Sequence, residues 1–211
     1  MFYNNTAQEV IAFVQDCVEV HQGNVDRGFW ERERPATELA TLVITELMEA
    51  VEADRKALRA DTVAVSNLAN SFCPTVFKNV VKDTVEDEVA DAAIRCMDFI
   101  GYIALKDGVK PITNLISARY DMYLEDTKIL QVQALNYPTL CEALGSIAAV
   151  TFNAVFTTLA SNTEVAMRFA SCNAFLIIQL LSYKYNLNLE KHVRLKLQYN
   201  ATRPYKHGKK Y

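Results

Sequence analysis

Apolar residues recur at three- and four-residue intervals through almost all of the 211 residues, the spacing of helices with one buried face, and no alternating run is long enough for a strand. The pattern predicts an all-α protein. Its first helix runs from Thr6 to about His21. The connector QGNVDRGFWERERP follows, with Gly23 and Gly28 as its hinges, and Pro35 stands at the start of a second helix, where its missing N–H costs nothing. That helix reaches about Ala60, and a polar, mixed segment leads on to about Lys82. A third helix runs from Thr84 to about Lys106, stopped by Asp107-Gly108 and Pro111. Further helical patterns span Thr113 to Leu135, Pro138 to about Ala160, Asn162 to about Tyr185 and Leu189 to about Ala201, before a basic coda, Thr202 to Tyr211.

The size and composition fit one helical domain, residues 1–211, with ample material for a core: 51% hydrophobic and 22% charged residues, with only 6 Gly and 5 Pro to break long elements. The stretch Ala143 to Thr163 carries no charge over about the length of a membrane span, but Ser146, Thr151, Asn153, Thr157, Thr158, Ser161 and Asn162 make it a helix buried in protein, so no membrane is expected. Five cysteines with no C-x-x-C pair read as reduced, buried thiols. The N-terminus MFYNNTAQEV lacks the features of a signal peptide, so the expected location is the cytoplasm. A net charge of -3 gives no global reason to bind nucleic acid.

Two pairs of acids interrupt otherwise apolar helix faces. Glu46 and Glu49 share a face with Leu39, Leu42, Ala50 and Ala53, and Glu88 and Asp91 share one with Val85, Ala92, Phe99 and Tyr102. Carboxylates in such positions need compensation, because an unpaired buried charge is very costly. Two facing helices, each with an i, i+3 pair, would gather four oxygen donors around one point, which suits Mg²⁺, with Mn²⁺ as the alternative. A di-iron bundle needs E-x-x-H motifs, and His21, His192 and His207 stand at no such spacing. Arg95, one turn beyond Asp91, is expected to fix that carboxylate.

From Lys191 to the end the chain is rich in Lys and Arg and free of acids. Lys196 and Asn200, at i, i+4 on one helix face, can reach one phosphate chain together. Trp30, the only Trp, stands in the connector, where its ring serves either as a stacking surface for a base or as a packing anchor. The chain also matches itself weakly: EVAD from Glu88 and EVAM from Glu164 each open a helix, with Cys96 against Cys172 and Phe99 against Phe175. On that alignment Val150 and Asn153 stand where Glu46 and Glu49 stand, which makes 111–188 a degenerate counterpart of a metal-binding half, 1–110, with 189–211 as a phosphate-binding helix and tail.

Four blocks in order, GFWERER, ITELMEAVEA, EDEVADAAIRCMDFIGY and LEKHVRLKLQYNATRPYKHGKKY, resemble the MazG-like family of all-α nucleoside triphosphate pyrophosphohydrolases, over about half the chain. The resemblance implies a helical bundle of that type, Mg²⁺ held by Glu46, Glu49, Glu88 and Asp91, and hydrolysis of a nucleoside triphosphate to the monophosphate and pyrophosphate. It also implies that Lys196, Asn200, Arg203, Lys206 and Lys209 hold phosphates, with Trp30 as the aromatic on the substrate side and Glu49 nearest the attacking water. Two features depart from the family pattern: Ile103 to Asn188 separates the E-x-x-D helix from the K-x-x-x-N helix, and Arg59 to Lys82 lengthens the gap between the two acidic pairs. The family commonly builds its bundle from two or more chains, so a homo-oligomer is left open beside a pseudo-dimer within one chain. The other-class alternative is a non-catalytic helical module that binds nucleotides or nucleic acid through its basic tail.

Overall fold

The computed structural model describes residues 6–125, 136–156 and 163–208, and among these there is no strand. Nine helices occupy them: α1 (Ala7–Asp26), α2 (Ala36–Arg55), α3 (Thr62–Asn70), α4 (Pro74–Val80), α5 (Val85–Asp107), α6 (Val109–Glu125), α7 (Leu140–Phe156), α8 (Thr163–Lys184) and α9 (Leu189–Ala201), with a final 3₁₀ turn at Tyr205–Gly208. The all-α expectation holds. Among the described residues no helix is long and apolar enough to cross a membrane.

α5 is the central element, with buried residues around its whole circumference from Val85 to Ala104, and it packs on α1, α2, α8 and α9. α7 lies against α2 and α8, and α6 against α1. The main core runs through all of these, with Phe13, Leu47, Phe99, Ile100, Ile147 and Phe175 fully or almost fully buried. Gly101 marks the closest approach of α1 to α5, since a Cβ there would overlap the backbone of Cys17.

Several element ends differ from the sequence expectation, each for a local reason. α1 continues past His21 to Asp26, its Gly23 carbonyl accepting a 2.6 Å bond from the Arg27 guanidinium. α2 stops at Arg55, short of Ala60: Ala57 turns left-handed at φ 55°, its N–H reaches the Asp54 carbonyl at 2.9 Å, and the Leu58 N–H reaches the Ala53 carbonyl at 2.9 Å, a Schellman stop made without glycine. Pro111, expected beyond a break, sits in the first turn of α6, where no intrahelical N–H is needed.

The largest difference is the segment before α5. It folds into α3 and α4, which enclose a small second core of Val65, Leu68, Phe77 and Val81 with Leu195 of α9. Phe77 stacks on Tyr199 at 4.7 Å, so this helical pair braces the outer side of α9. The five cysteines are free thiols, Cys17, Cys96 and Cys172 buried and Cys73 and Cys141 exposed.

Candidate metal centre

The start of α5 is tied to the end of α2, and that tie sets the register of the acidic pairs. Val85 donates its N–H to the Leu58 carbonyl at 3.1 Å, and the Glu86 carboxylate accepts the Ala60 N–H at 3.0 Å. Thr84 caps α5, its hydroxyl accepting the Asp87 N–H. Acids in the first turn, Glu86, Asp87 and Glu88, lie where the helix N-terminus favours negative charge.

In this register Glu46, Glu49 and Glu88 each place a carboxylate oxygen within 4.8 Å of the others. Glu46 and Glu88 are both 5% exposed, whereas Glu49 stands exposed at the rim. Glu49 and Glu88 face an open cavity of about 230 Å³, lined also by Glu52, Lys56, Leu58 and Asp83. Larger hollows exist elsewhere, including one of about 470 Å³ between α1, α5 and α9, but none brings such a set of oxygen donors together among the described residues.

The fourth expected ligand, Asp91, borders this cluster but is paired otherwise. Lys196 of α9, 3% exposed, puts its ammonium 2.7 Å from Asp91 Oδ2 and 2.7 Å from Asp87 Oδ2. Burial draws the lysine pKa down, but the Asp91 and Asp87 carboxylates outweigh it and hold the group charged well above its usual range. Lys196, expected to hold phosphate, is thus the internal counter-ion of two carboxylates. Arg95 also differs from expectation, for it fixes Glu46 rather than Asp91: its Nε and a terminal nitrogen donate to Glu46 Oε1 at 3.1 and 2.9 Å.

The charge balance in this region is unequal. Burial pushes Glu88 up to about 9, with the Asp91 and Asp87 carboxylates adding to the effect and the Lys196 ammonium opposing it. Glu46 is raised by burial and by Asp91, against Arg95. Asp87 is lifted to about 6 by burial, which outweighs Lys196. The Glu88 carboxylate makes no hydrogen bond or ion pair with any described residue. Hard oxygen donors in excess of their cations are what a dication such as Mg²⁺ or Mn²⁺ would satisfy, so the residues fit the metal that the sequence pattern implied.

The remaining expected residues divide. Asn200 and Arg203 line a hollow of about 30 Å³ with Asp91, Arg95, Asn24 and Phe29, and the Arg203 guanidinium donates to Asn200 Oδ1 at 3.3 Å. Lys206 is instead folded onto the connector: its N–H reaches the Arg27 carbonyl at 3.0 Å, and its ammonium pairs with Glu31, as does the Tyr205 hydroxyl. Gly28, at φ 82°, admits this contact, since a Cβ there would run into the Tyr205 ring. Lys209 lies outside the described residues. Trp30 is an anchor as placed, stacked on Tyr102 at 4.9 Å and donating its indole N–H to the Asp98 carboxylate, which also meets His21 Nδ1 at 2.8 Å.

Sequence reasoning missed Asp87, 1% exposed and central to the site. Its signal was its position four residues before Asp91, which puts the two on one face where a single cation can meet both. Set against models of known protein families, curated proteins and solved structures, the chain finds no match in any of the three comparisons.

Proposed function

We propose that this protein is a Mg²⁺-dependent nucleoside triphosphate pyrophosphohydrolase of the MazG-like type, cleaving an NTP or dNTP to the monophosphate and pyrophosphate. The observation that carries the reading is the convergence of Glu46, Glu49 and Glu88 within 4.8 Å beside an open cavity, on two helices that otherwise present apolar faces. The metal would be held by these carboxylates with Asp91 beside them, and when bound it supplies charge neutralisation for the triphosphate and polarisation of the α-phosphorus.

The chain's own residues do the rest. Arg95 locks Glu46 through one oxygen and leaves the other for the cluster. Glu49, exposed at the rim, orients the attacking water and takes its proton as the oxygen bonds to the α-phosphorus. The bond from the α-phosphorus to the bridging oxygen breaks, and pyrophosphate leaves toward basic and amide groups, of which Asn200 and Arg203 stand beside Asp91.

Features of the helix packing support a pseudo-dimer as the frame of this site. α2 lies against α7 and α5 against α8, each pairing first-half and second-half helices that the internal alignment equates. The non-catalytic alternative draws less support, since Lys206 and Tyr205 are engaged by Glu31 rather than left free for a polyanion.

Incubation with a panel of NTPs and dNTPs, with and without Mg²⁺, tests the reading. The expected products are a monophosphate and pyrophosphate, appearing only with the metal. Release of orthophosphate and a diphosphate, or no turnover of any member, would contradict it.

A further inference from the structure

Beyond α9 the chain is strapped across the connector between α1 and α2. The backbone turns at Thr202, whose N–H reaches the Tyr199 carbonyl at 3.0 Å, and returns over residues 27–31. Three contacts close the strap. The Lys206 N–H donates to the Arg27 carbonyl at 3.0 Å, and the Tyr205 ring lies against Gly28, where no Cβ would fit. The Glu31 carboxylate accepts from both the Tyr205 hydroxyl and the Lys206 ammonium. Tyr205 is 58% exposed and the Glu31 side chain 54%, so little burial holds the strap down.

The strap narrows the hollow that holds Asn200 and Arg203 beside Asp91 and Arg95. Arg203, at the root of the strap, forms one wall, and Phe29 of the connector forms another, so the contacts between tail and connector tie two walls together. The Arg203 guanidinium is itself occupied, donating to Asn200 Oδ1 at 3.3 Å and lying 5.8 Å from the centre of the Tyr199 ring. At about 30 Å³ the hollow has room for about two waters. A phosphate group, a phosphorus with its shell of oxygens, does not fit. Lys206 also sits left-handed at φ 50°, a conformation that is costly for a residue other than glycine and that an opened strap relaxes.

We propose that this strap is an autoinhibitory latch: Glu31 holds Tyr205 and Lys206 with a carboxylate where a phosphate would otherwise stand, and the strap leaves the connector before a polyphosphate chain reaches Asn200 and Arg203. The proposal rests on the triphosphate reading above and adds a closed resting state to it. Carboxylate and phosphate offer an ammonium the same kind of charged oxygen, so a polyphosphate competes with Glu31 for Lys206. Exposed contacts of this kind are individually weak, which lets the ligand itself open the latch. The fraction of chains standing open then sets the apparent affinity.

The test is calorimetric binding of inorganic tripolyphosphate with Mg²⁺ to the full-length chain, beside hydrogen exchange at the Lys206 amide. In the free wild type that amide is expected to be protected, and Glu31→Gln should speed its exchange about tenfold. The same variant should bind tripolyphosphate about three- to tenfold more tightly, since more of the chain stands open. Loss of an acid favours any polyanion, so Tyr205→Ala is the deciding variant. It withdraws the ring and the hydroxyl but leaves Glu31 and Lys206 charged, and it should speed exchange and tighten binding in the same direction. Both side chains are exposed, so neither change threatens the fold. Tighter binding by one variant alone, equal, weaker or no binding by both, or a wild-type Lys206 amide that exchanges as fast as in the variants overturns the latch. The pyrophosphohydrolase reading is tested apart from it: if the variants bind tripolyphosphate more tightly but no nucleotide of the panel yields pyrophosphate, the latch stands and that reading fails.

Discussion

Set side by side on the internal sequence match, the helix pairs α2–α5 and α7–α8 share burial at several positions and differ in chemistry. On the internal alignment Leu47 and Thr151 are both buried, Met48 and Phe152 both exposed, and Glu49 and Asn153 both exposed. Cys96 and Cys172, and Phe99 and Phe175, are buried in both. The contrast falls at the acids. Glu46 is buried and salt-bridged where Val150 is half-buried, and Asp91 meets an ammonium where Met167 is fully buried and apolar. The side chain of Glu164, opposite Glu88, lies outside those described. A helical framework of this kind tolerates either filling, so the acids in the first pair are not needed for the fold. They carry a desolvation cost that an apolar filling such as Met167 avoids, and that cost is what the proposed metal centre would offset.

The largest test of that contrast is Lys196→Met. It leaves Asp87 and Asp91 facing one another without their ammonium, and urea unfolding should show a loss of about 3–5 kcal/mol. The loss should shrink when Asp87→Asn is added, since the uncompensated charge is then partly removed. Equal losses in the two variants would mean that packing, not charge, fixes α9.

The second test is acid. His192 of α9 is buried with its Nδ1 unpartnered, and burial lowers its pKa to about 4, against Glu86 and with Lys191. Its neutral form therefore favours the folded state fully above the unfolded value near 6.5. That contribution falls as the pH drops toward about 4, by roughly 2–3 kcal/mol across the window. His192→Leu should flatten this part of the stability profile. An unchanged slope between pH 6.5 and 4 would place the acid sensitivity elsewhere.

Smaller effects sharpen the same comparison. Glu88→Gln should stabilise the metal-free protein by about 1–2 kcal/mol, because it removes one carboxylate from a crowded, buried set, and added Mg²⁺ should reverse the order of wild type and variant in melting temperature. Met167→Leu, at the aligned position of Asp91 but in an apolar setting, should cost less than about 1.5 kcal/mol and show no dependence on Mg²⁺. A Mg²⁺-dependent shift at Met167 would give the second half a share in the metal centre.

The parts of this arrangement legible in the sequence are those that local spacing encodes. The long helices follow from apolar periodicity, and the two acid pairs stand out because they interrupt it. α3 and α4 escaped because each is short and their small core is completed by Leu195 and Tyr199, far along the chain. The end of α2 escaped because a left-handed alanine carries no glycine signal. Asp87 and its partner Lys196 are separated by 109 residues, so neither announces the other. Trp30 could be read as a base platform or an anchor until Asp98 and Tyr102 were placed around it.

The central claim is that the carboxylates of α2 and α5 perform metal-dependent hydrolysis, and the most direct measurement is pyrophosphate release by Glu49→Gln beside the wild type, at saturating Mg²⁺ with the best substrate of the panel. Glu49 is exposed and the glutamine keeps its shape, so circular dichroism should show an unchanged fold. The account predicts that turnover falls by at least a hundredfold, in line with the loss of a positioned base. Wild-type turnover in the folded variant would contradict it.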